Sequence, residues 1–305
     1  MKLQMKNKKK AIIPVKGGLG NQMFFFAFGE YLKLKGFEVK YVWHELIVTT
    51  QHHGVDSLDC FNIKISKYEN ILIKIYLYIN ELNIPFILKR ITYRLIRLRY
   101  IFFKKVIQRD PYGKLEQDIS DSSNRYFRGF WQNSIYIVNQ EKNLLNLFKF
   151  KNINDLENKK IIDEIENSNS VAIHVRRGDY HDPRFANLNV INSVEYFINA
   201  INYIKTLVSK PLFFIFTDDI EWAKININFD NVRYINTNIG KNSYFDMHIM
   251  SKCKHNIISN STFSFWAAFL NDNPSKIVIC PDYWVKWKKS EIIWGDKFIY
   301  LKSNF

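Results

Sequence analysis

His174-Val175-Arg176-Arg177-Gly178-Asp179-Tyr180, directly after the apolar Val171-Ala172-Ile173, brings two guanidinium groups, an imidazole and a carboxylate together. Side chains alternate along an extended strand, so Ile173 and Val175 face one packed layer while His174 and Arg176 share the opposite one. Gly178 is read as the stop of that strand. The polar groups then stand at a strand's carboxyl end, where open α/β sheets bind ligands. Arginine stays charged at working pH and its planar fork matches phosphate oxygens two at a time, so the cluster suits a diphosphate. The plain alternative is a surface Arg/Asp ion pair at a strand end, which contributes little.

Three further constellations favour the ligand site. Gly17-Gly18-Leu19-Gly20-Asn21-Gln22 sits between an apolar run and a helical pattern. Its amides and the helix's positive end could receive an anion, and the Asn21 carboxamide could bond a phosphate. It lacks the Lys-Ser/Thr pair of a phosphate-binding loop, and Met23 replaces the last glycine of a dinucleotide fingerprint. Alone it reads as a tight turn. Thr217-Asp218-Asp219 ends the run Phe213-Phe214-Ile215-Phe216. Its carboxylates could accept from ribose hydroxyls or purine N–H groups, or one could cap the helix near Trp222. A metal is set aside, because the sequence has no Asp-X-Asp and neighbours on a strand point apart. Asn260-Ser261-Thr262-Phe263-Ser264 enters an apolar helix and is either another anion cradle or ordinary capping. Together, Arg176, Asp218 and Ser261 at three strand ends, faced by Gly18, Gly20 and Asn21 from the other half, suit a nucleotide-diphosphate donor held without metal. The cations and amide dipoles would offset charge developing on the departing diphosphate.

The elements that must position these groups alternate between strand and helix. Lys10–Val15 reads as a strand, the apolar spacing after Gly20 as a helix that stops at Gly36, and Phe37–Val42 as a strand. Residues 58–146 read as mostly helical. The polar stretch Lys151–Lys160 marks a boundary, giving domains 1–155 and 156–305. Beyond it come a strand 171–176, a helix 193–208 with capping-box spacing at Asn192 and Glu195, and strands 212–216 and 232–235. A helix 244–253, a strand 256–258, a helix 263–270 and a strand 276–280 follow. This predicts an α/β fold of two Rossmann-like domains facing across a cleft, with parallel sheets covered on both faces.

With 305 residues, 47% hydrophobic and 16% aromatic, the chain buries a substantial core and is not disordered. Its three cysteines show no metal-ligand spacing, and an odd count fits a reducing cytosol better than a disulfide framework. Lys16 interrupts the apolar run after the lysine-rich start, which argues against a signal peptide. Lys74, Glu81 and Pro85 break the greasiest stretch, 71–88, so no transmembrane span is expected. The net charge of +15 is densest at residues 89–109, where eight Lys and Arg alternate with apolar residues and no acid intervenes before Asp110. Such an amphipathic helix either contacts anionic membrane or is a solvated face. Nucleic acid ranks below both, since no recognition signature appears.

The chain resembles the bacterial and animal galactoside α-1,2-fucosyltransferases, glycosyltransferase family 11. Carrying the resemblance are Gly17 to Phe24, His174 to Tyr180, Thr217-Asp218-Asp219, Asp246-Met247, Met250 to His255 and Asn260 to Trp266, in the family's order from residue 11 to about 285. Thr262, Phe265 and Ala267 are departures, and residues 45–150 match weakly. The resemblance implies a GT-B fold, GDP-β-L-fucose as donor, no metal or other cofactor, and inverting transfer to the 2-hydroxyl of a terminal galactose. Surface polysaccharide, O-antigen or oligosaccharide synthesis is the expected setting, in the cytoplasm or at the inner face of its membrane. Arg176 is expected to hold the diphosphate. Arg177, Asp218, Asp219 and the Asn260-Ser261-Thr262-Phe263-Ser264 loop would contact nucleotide and phosphate, and Asn21 would assist from the facing domain. Asp179 is the first choice for the base that deprotonates the acceptor, and His174 the second. A GDP-sugar transferase making another linkage, or a non-catalytic basic membrane- or nucleic-acid-binding protein, are the competing classes.

Overall fold

The computed structural model describes residues 9–43, 57–68, 85, 91, 104–178 and 193–303. The chain divides into two compact units, Met1–Leu147 and Phe148–Phe305.

The first unit opens with β1 (Lys9–Val15), α1 (Leu19–Leu34) and β2 (Phe37–Trp43). Later come β3 (Lys104–Ile107), β4 (Arg125–Arg128) and the helix α2 (Glu141–Leu147). The sheet order is β2-β1-β4-β3, all parallel. β1 is central and carries Pro14, which cannot donate to a ladder. The pairing with β4 is confined to Ala11 and Ile12, so Pro14 lies beyond it. α1 buries Phe24, Phe25, Phe26 and Phe28, too many aromatics for one stripe. Phe28 stacks on Trp131 with centroids 4.0 Å apart, and Phe26 stacks on Tyr41 at 5.6 Å.

The expectation of a mostly helical 58–146 is corrected at β3 and β4. Both are strands of four residues, too short for their alternation to show, and both carry charges that mimic a solvated helix. Arg125 is nonetheless 5% exposed and bonds Asp121 at 2.8 Å. The expected basic helix over 89–109 fails at its end for the same reason, since Lys104 and Lys105 belong to β3. Lys89, Arg90, Arg94, Arg97 and Arg99 lie outside the described residues.

The second unit begins with α3 (Leu156–Glu166), β5 (Asn169–Val175), α4 (Val194–Leu207), β6 (Pro211–Thr217), α5 (Ile220–Asn226) and β7 (Val232–Ile235). It continues with α6 (Tyr244–Lys252), β8 (His255–Ile257), α7 (Thr262–Leu270) and β9 (Val278–Pro281). The hairpin β10 (Tyr283–Val285) and β11 (Lys288–Lys289), then α8 (Glu291–Trp294) and β12 (Ile299–Leu301), complete it. The six-stranded sheet runs β12-β9-β8-β5-β6-β7, all parallel. Counted within the unit, that is the 3-2-1-4-5-6 order of dinucleotide-binding sheets, with its direction reversal between β5 and β8. Every residue of β5 after Asn169 is buried, as a central strand covered on both faces requires. Val171, Ile173 and Val175 pack with Tyr196, Phe197, Ala200 and Ile204 of α4.

Helix entrances follow their side chains. The carboxylates of Asp155 and Asp219 accept from the Asn158 and Trp222 amides, and the Ser193 and Ser261 hydroxyls from those of Tyr196 and Phe263. The cap of α4 is thus Ser193, not the expected Asn192, because the hydroxyl reaches the third amide from one residue later. β5 stops at Val175 rather than running to Gly178. Among the described residues no helix is long and apolar enough to cross a membrane.

Candidate functional site

In the second unit the loops after β5, β6 and β8 are bound together at the sheet's carboxyl edge. Arg176 Nη1 lies 2.7 Å from Asp218 Oδ2. The Arg177 amide donates to Asp218 Oδ1 at 2.9 Å, and Arg177 Nε to Asp219 Oδ2 at 3.2 Å. The Arg177 guanidinium also lies on the Trp222 ring, 3.9 Å from its centroid. Asp219 uses its other oxygen to cap α5. Gly178 fits because a Cβ there would come 2.8 Å from Asp218 Oδ2. The acidic pair thus holds the two arginines, and Asp219 is the cap near Trp222 that the sequence offered as an alternative. Arg176 remains 30% exposed at its side chain and presents a positive group at the strand ends.

Ser259 joins β5 to β8 across the reversal point. Its hydroxyl donates to the His174 carbonyl at 2.6 Å and accepts from the Arg176 amide at 3.3 Å. Nothing in sequence pointed to Ser259, although it opens the polar run Ser259-Asn260-Ser261. Of that loop's expected ligand contacts, Asn260 is 1% exposed and donates to the Trp284 carbonyl at 2.9 Å. Ser264 is fully buried, and its hydroxyl fastens the Ser259 and Ser261 carbonyls. These two hold the loop's shape. Thr262 and Phe263 stay partly exposed at the start of α7, after the Ser261 cap.

His174 lies beneath the arginines, 7% exposed, with its ring 5.5 Å from that of Phe263. Burial pushes its pKa down to about 4, opposed by Asp218 and reinforced by Arg176. Its Nδ1 is buried without a hydrogen-bond partner among the described residues. A neutral, enclosed imidazole of this kind is a weak proton acceptor near neutrality. Asp179, the first choice for the base, lies outside the described residues.

The same edge carries another, half-buried carboxyl. Asp246 in the first turn of α6 accepts from Asn238 at 2.8 Å, and Asn238 exchanges bonds with Asn158 of α3. Burial raises Asp246 to about 7 against the lowering effect of that bond. Sequence marked Asp246 only as part of a resemblance block. Among the described residues no three His, Cys, Asp or Glu gather as a metal-ligand set.

In the first unit, the loops after β1 and β4, which are neighbours in the sheet, meet at its carboxyl edge. Gly18 precedes α1 without a side-chain cap, and Gly20 is buried in its first turn. Gly17 has φ of 80°, and a Cβ there would come 2.6 Å from Asn21 Nδ2. From the other loop, Gln132 Nε2 donates to Asn21 Oδ1 at 2.8 Å. Trp131, just before it, has φ of 58°, a strained value for a bulky residue. Gln108 Oε1 holds the turn by accepting from the Phe130 and Trp131 amides at 2.8 and 2.9 Å. Isolated glutamines carry no spacing signal, so the sequence does not mark Gln132 or Gln108.

The glycosyl transferase family 11 profile matches residues 11–302. An α-1,2-colitosyltransferase of Escherichia coli is 38% identical over 164 residues, 52% of this chain and 55% of that protein. The O-antigen biosynthesis glycosyltransferase WbnK of Escherichia coli is 28% identical over 93% of this chain and 98% of its own length. Among solved structures, fucosyltransferase NodZ from Bradyrhizobium has a TM-score of 0.51 at 16% identity, covering 86% of this chain and 92% of NodZ. A NodZ α-1,6-fucosyltransferase crystal soaked with GDP-fucose gives 0.50 at 15% identity, over 87% of this chain and 93% of that one. The likeness to NodZ is one of fold and is consistent with a GT-B type α/β architecture. With the profile spanning both units and the motif loops at the sheet edges, the chain belongs to glycosyl transferase family 11 and is a glycosyltransferase related to O-antigen enzymes.

Proposed function

We propose that the protein transfers L-fucose from GDP-β-L-fucose to the 2-hydroxyl of a terminal galactose, with inversion and without a metal. The observation that carries this reading is the Arg176/Arg177 pair held by Asp218 and Asp219 at the carboxyl edge of a six-stranded parallel sheet. Family membership supports the reaction class. Residues 148–305 are the donor-binding domain in this reading, and residues 1–147 the acceptor-side domain.

In the proposed step the acceptor oxygen forms a bond to C1 of the sugar while the bond from C1 to the diphosphate oxygen breaks, its electron pair leaving with GDP. The acceptor proton passes to Asp179, the general base in this reading. Arg176 meets the negative charge that grows on the leaving diphosphate, and the α7 entrance at Thr262 adds its amide dipoles. Interactions that strengthen as the bond breaks lower the barrier rather than merely hold substrate. Asn21 contributes from the first unit.

One observation favours a second donor. The 38% identical relative is named for colitose, a sugar that lacks one ring hydroxyl of fucose. A site that hydrogen-bonds that hydroxyl rejects the deoxy sugar strongly, whereas an apolar one does not. Purified protein is offered GDP-fucose or GDP-colitose with a panel of galactose-terminated acceptors, and GDP release and product linkage are measured. An α-1,2 fucosylated product formed in the presence of a chelator supports the reading. Release from neither donor, loss of turnover on chelation, or another linkage rejects it.

A further inference from the structure

We infer that the β10–β11 hairpin docks this protein on an anionic phospholipid bilayer, with Trp287 entering the interface and Lys286, Lys288 and Lys289 meeting the headgroups. Trp287 is 60% exposed at the tip, beside exposed Lys286. Two-residue hairpin tips favour Asn-Gly or Gly-rich pairs, so turn geometry does not call for a tryptophan. Neither Lys286 nor Trp287 has positive φ, and the pairing is irregular between Tyr283 and Val285. Core packing does not call for it either, since the hairpin is anchored by a different residue. Trp284 is 5% exposed and meets Trp294 edge to face at 4.7 Å, while its carbonyl receives the Asn260 amide. A rigid base thus lifts an indole out of the fold.

Around that tip the chemistry is one-sided. Residues 283–289 hold three lysines and no acid, on a chain of net charge +15. The half-exposed Ile292 follows on the short helix after the hairpin, and the acids that flank the hairpin in sequence are Asp282 and Glu291. An amphipathic ring flanked by flexible ammonium groups matches the boundary between headgroup and acyl chain. The ring sits at the polar-apolar boundary, and the lysines extend toward negative phosphates. Trp287 alone would be an ordinary exposed residue. Its place at a braced tip, beside the exposed Lys286 and Lys289, singles it out. The hairpin also leaves the sheet just past the carboxyl end of β9, so docking there keeps that edge close to the lipid surface. This inference does not depend on the sugar or linkage proposed above.

The test is sedimentation of the full chain with two kinds of vesicle, phosphatidylcholine alone and phosphatidylcholine with about a third phosphatidylglycerol. The unsubstituted protein is expected to bind the anionic vesicles and not the neutral ones. Trp287→Ala and the triple change Lys286→Gln, Lys288→Gln, Lys289→Gln should each weaken binding by about tenfold. Both should keep the parent's far-ultraviolet circular dichroism and its GDP release with a water-soluble acceptor. Equal binding by parent and variants overturns the inference, as does binding lost only when the basic residues 89–109 are changed. Trp287-dependent capture of a single-stranded oligonucleotide without vesicle binding overturns it too.

Discussion

Arg176 Nη1 and Asp218 Oδ2 are 2.7 Å apart, joining the loop after β5 to the loop after β6. The same carboxylate takes the Arg177 amide through its other oxygen. One side chain therefore sets both the direction of a guanidinium and the path of the backbone that carries it. A group fixed before substrate arrives does not reorganise as charge develops, which makes it more effective than a mobile one.

Arg176→Ala is expected to lower kcat/KM for the donor by about a hundred- to a thousandfold, with thermal unfolding close to the parent's. Arg176→Lys should recover little, because a point charge does not replace a planar fork. Asp218→Asn should cost about tenfold, since a charged partner is exchanged for a neutral one. Gly178→Ala should resemble Asp218→Asn, because the added methyl intrudes on that carboxylate. Steady-state kinetics with varied donor check all four, and parent-like turnover in Arg176→Ala would remove the arginine from the mechanism.

Gln132 is expected to act through Asn21. Its amide holds Asn21 Oδ1 at 2.8 Å, which leaves Asn21 Nδ2 facing the other way, against Gly17. Gln132→Leu and Asn21→Ala should each reduce kcat by about tenfold, and the double variant should be no worse than either. Gln132→Glu should do the same by repelling Oδ1 and turning the amide over. Additive losses in the double variant would show that the two residues work separately.

His174 should give the protein an acid-sensitive stability. Its folded pKa is about 4 and its unfolded value near 6.5, so the unfolded chain binds the proton more readily between them. Stability is fully present above pH ~6.5 and falls as pH drops toward 4, by at most about 3 kcal/mol from this group. Melting temperatures between pH 7 and 4 should show the loss, and His174→Gln should flatten it. An unchanged slope in His174→Gln would contradict the buried neutral imidazole.

Asp246 should act in the opposite sense. Its folded pKa is about 7, above the unfolded 3.8, so its contribution is greatest in acid and is lost as pH rises through 7. Asp246→Asn keeps an acceptor for Asn238 and removes the ionisation. It should raise the melting temperature at pH 8 and leave it unchanged at pH 4. A variant less stable than the parent at pH 8 would show that the carboxylate is well satisfied when charged.

Much of the second unit is legible in the sequence, because its strands are long apolar runs and its caps are local. Val171–Val175, Pro211–Thr217 and the entrances at Asp219 and Ser261 are spelled out within a few residues. The first unit was less readable. β3 and β4 are short, charged, and paired with partners far off in sequence, so their strand character comes from the sheet and not from their own pattern.

By itself the sequence determined which chemical groups stand at strand ends, since side-chain type and the periods of strand and helix are local properties. Only the tertiary structure decided what each group is already doing. Asp218 and Asp219 hold the arginines, Asn260 and Ser264 bond the backbone of their own surroundings, and Ser259, Gln108 and Gln132 support the loops. Hydrogen bonds between loops far apart in sequence depend on how the strands are ordered across the sheet, and no local pattern encodes that order.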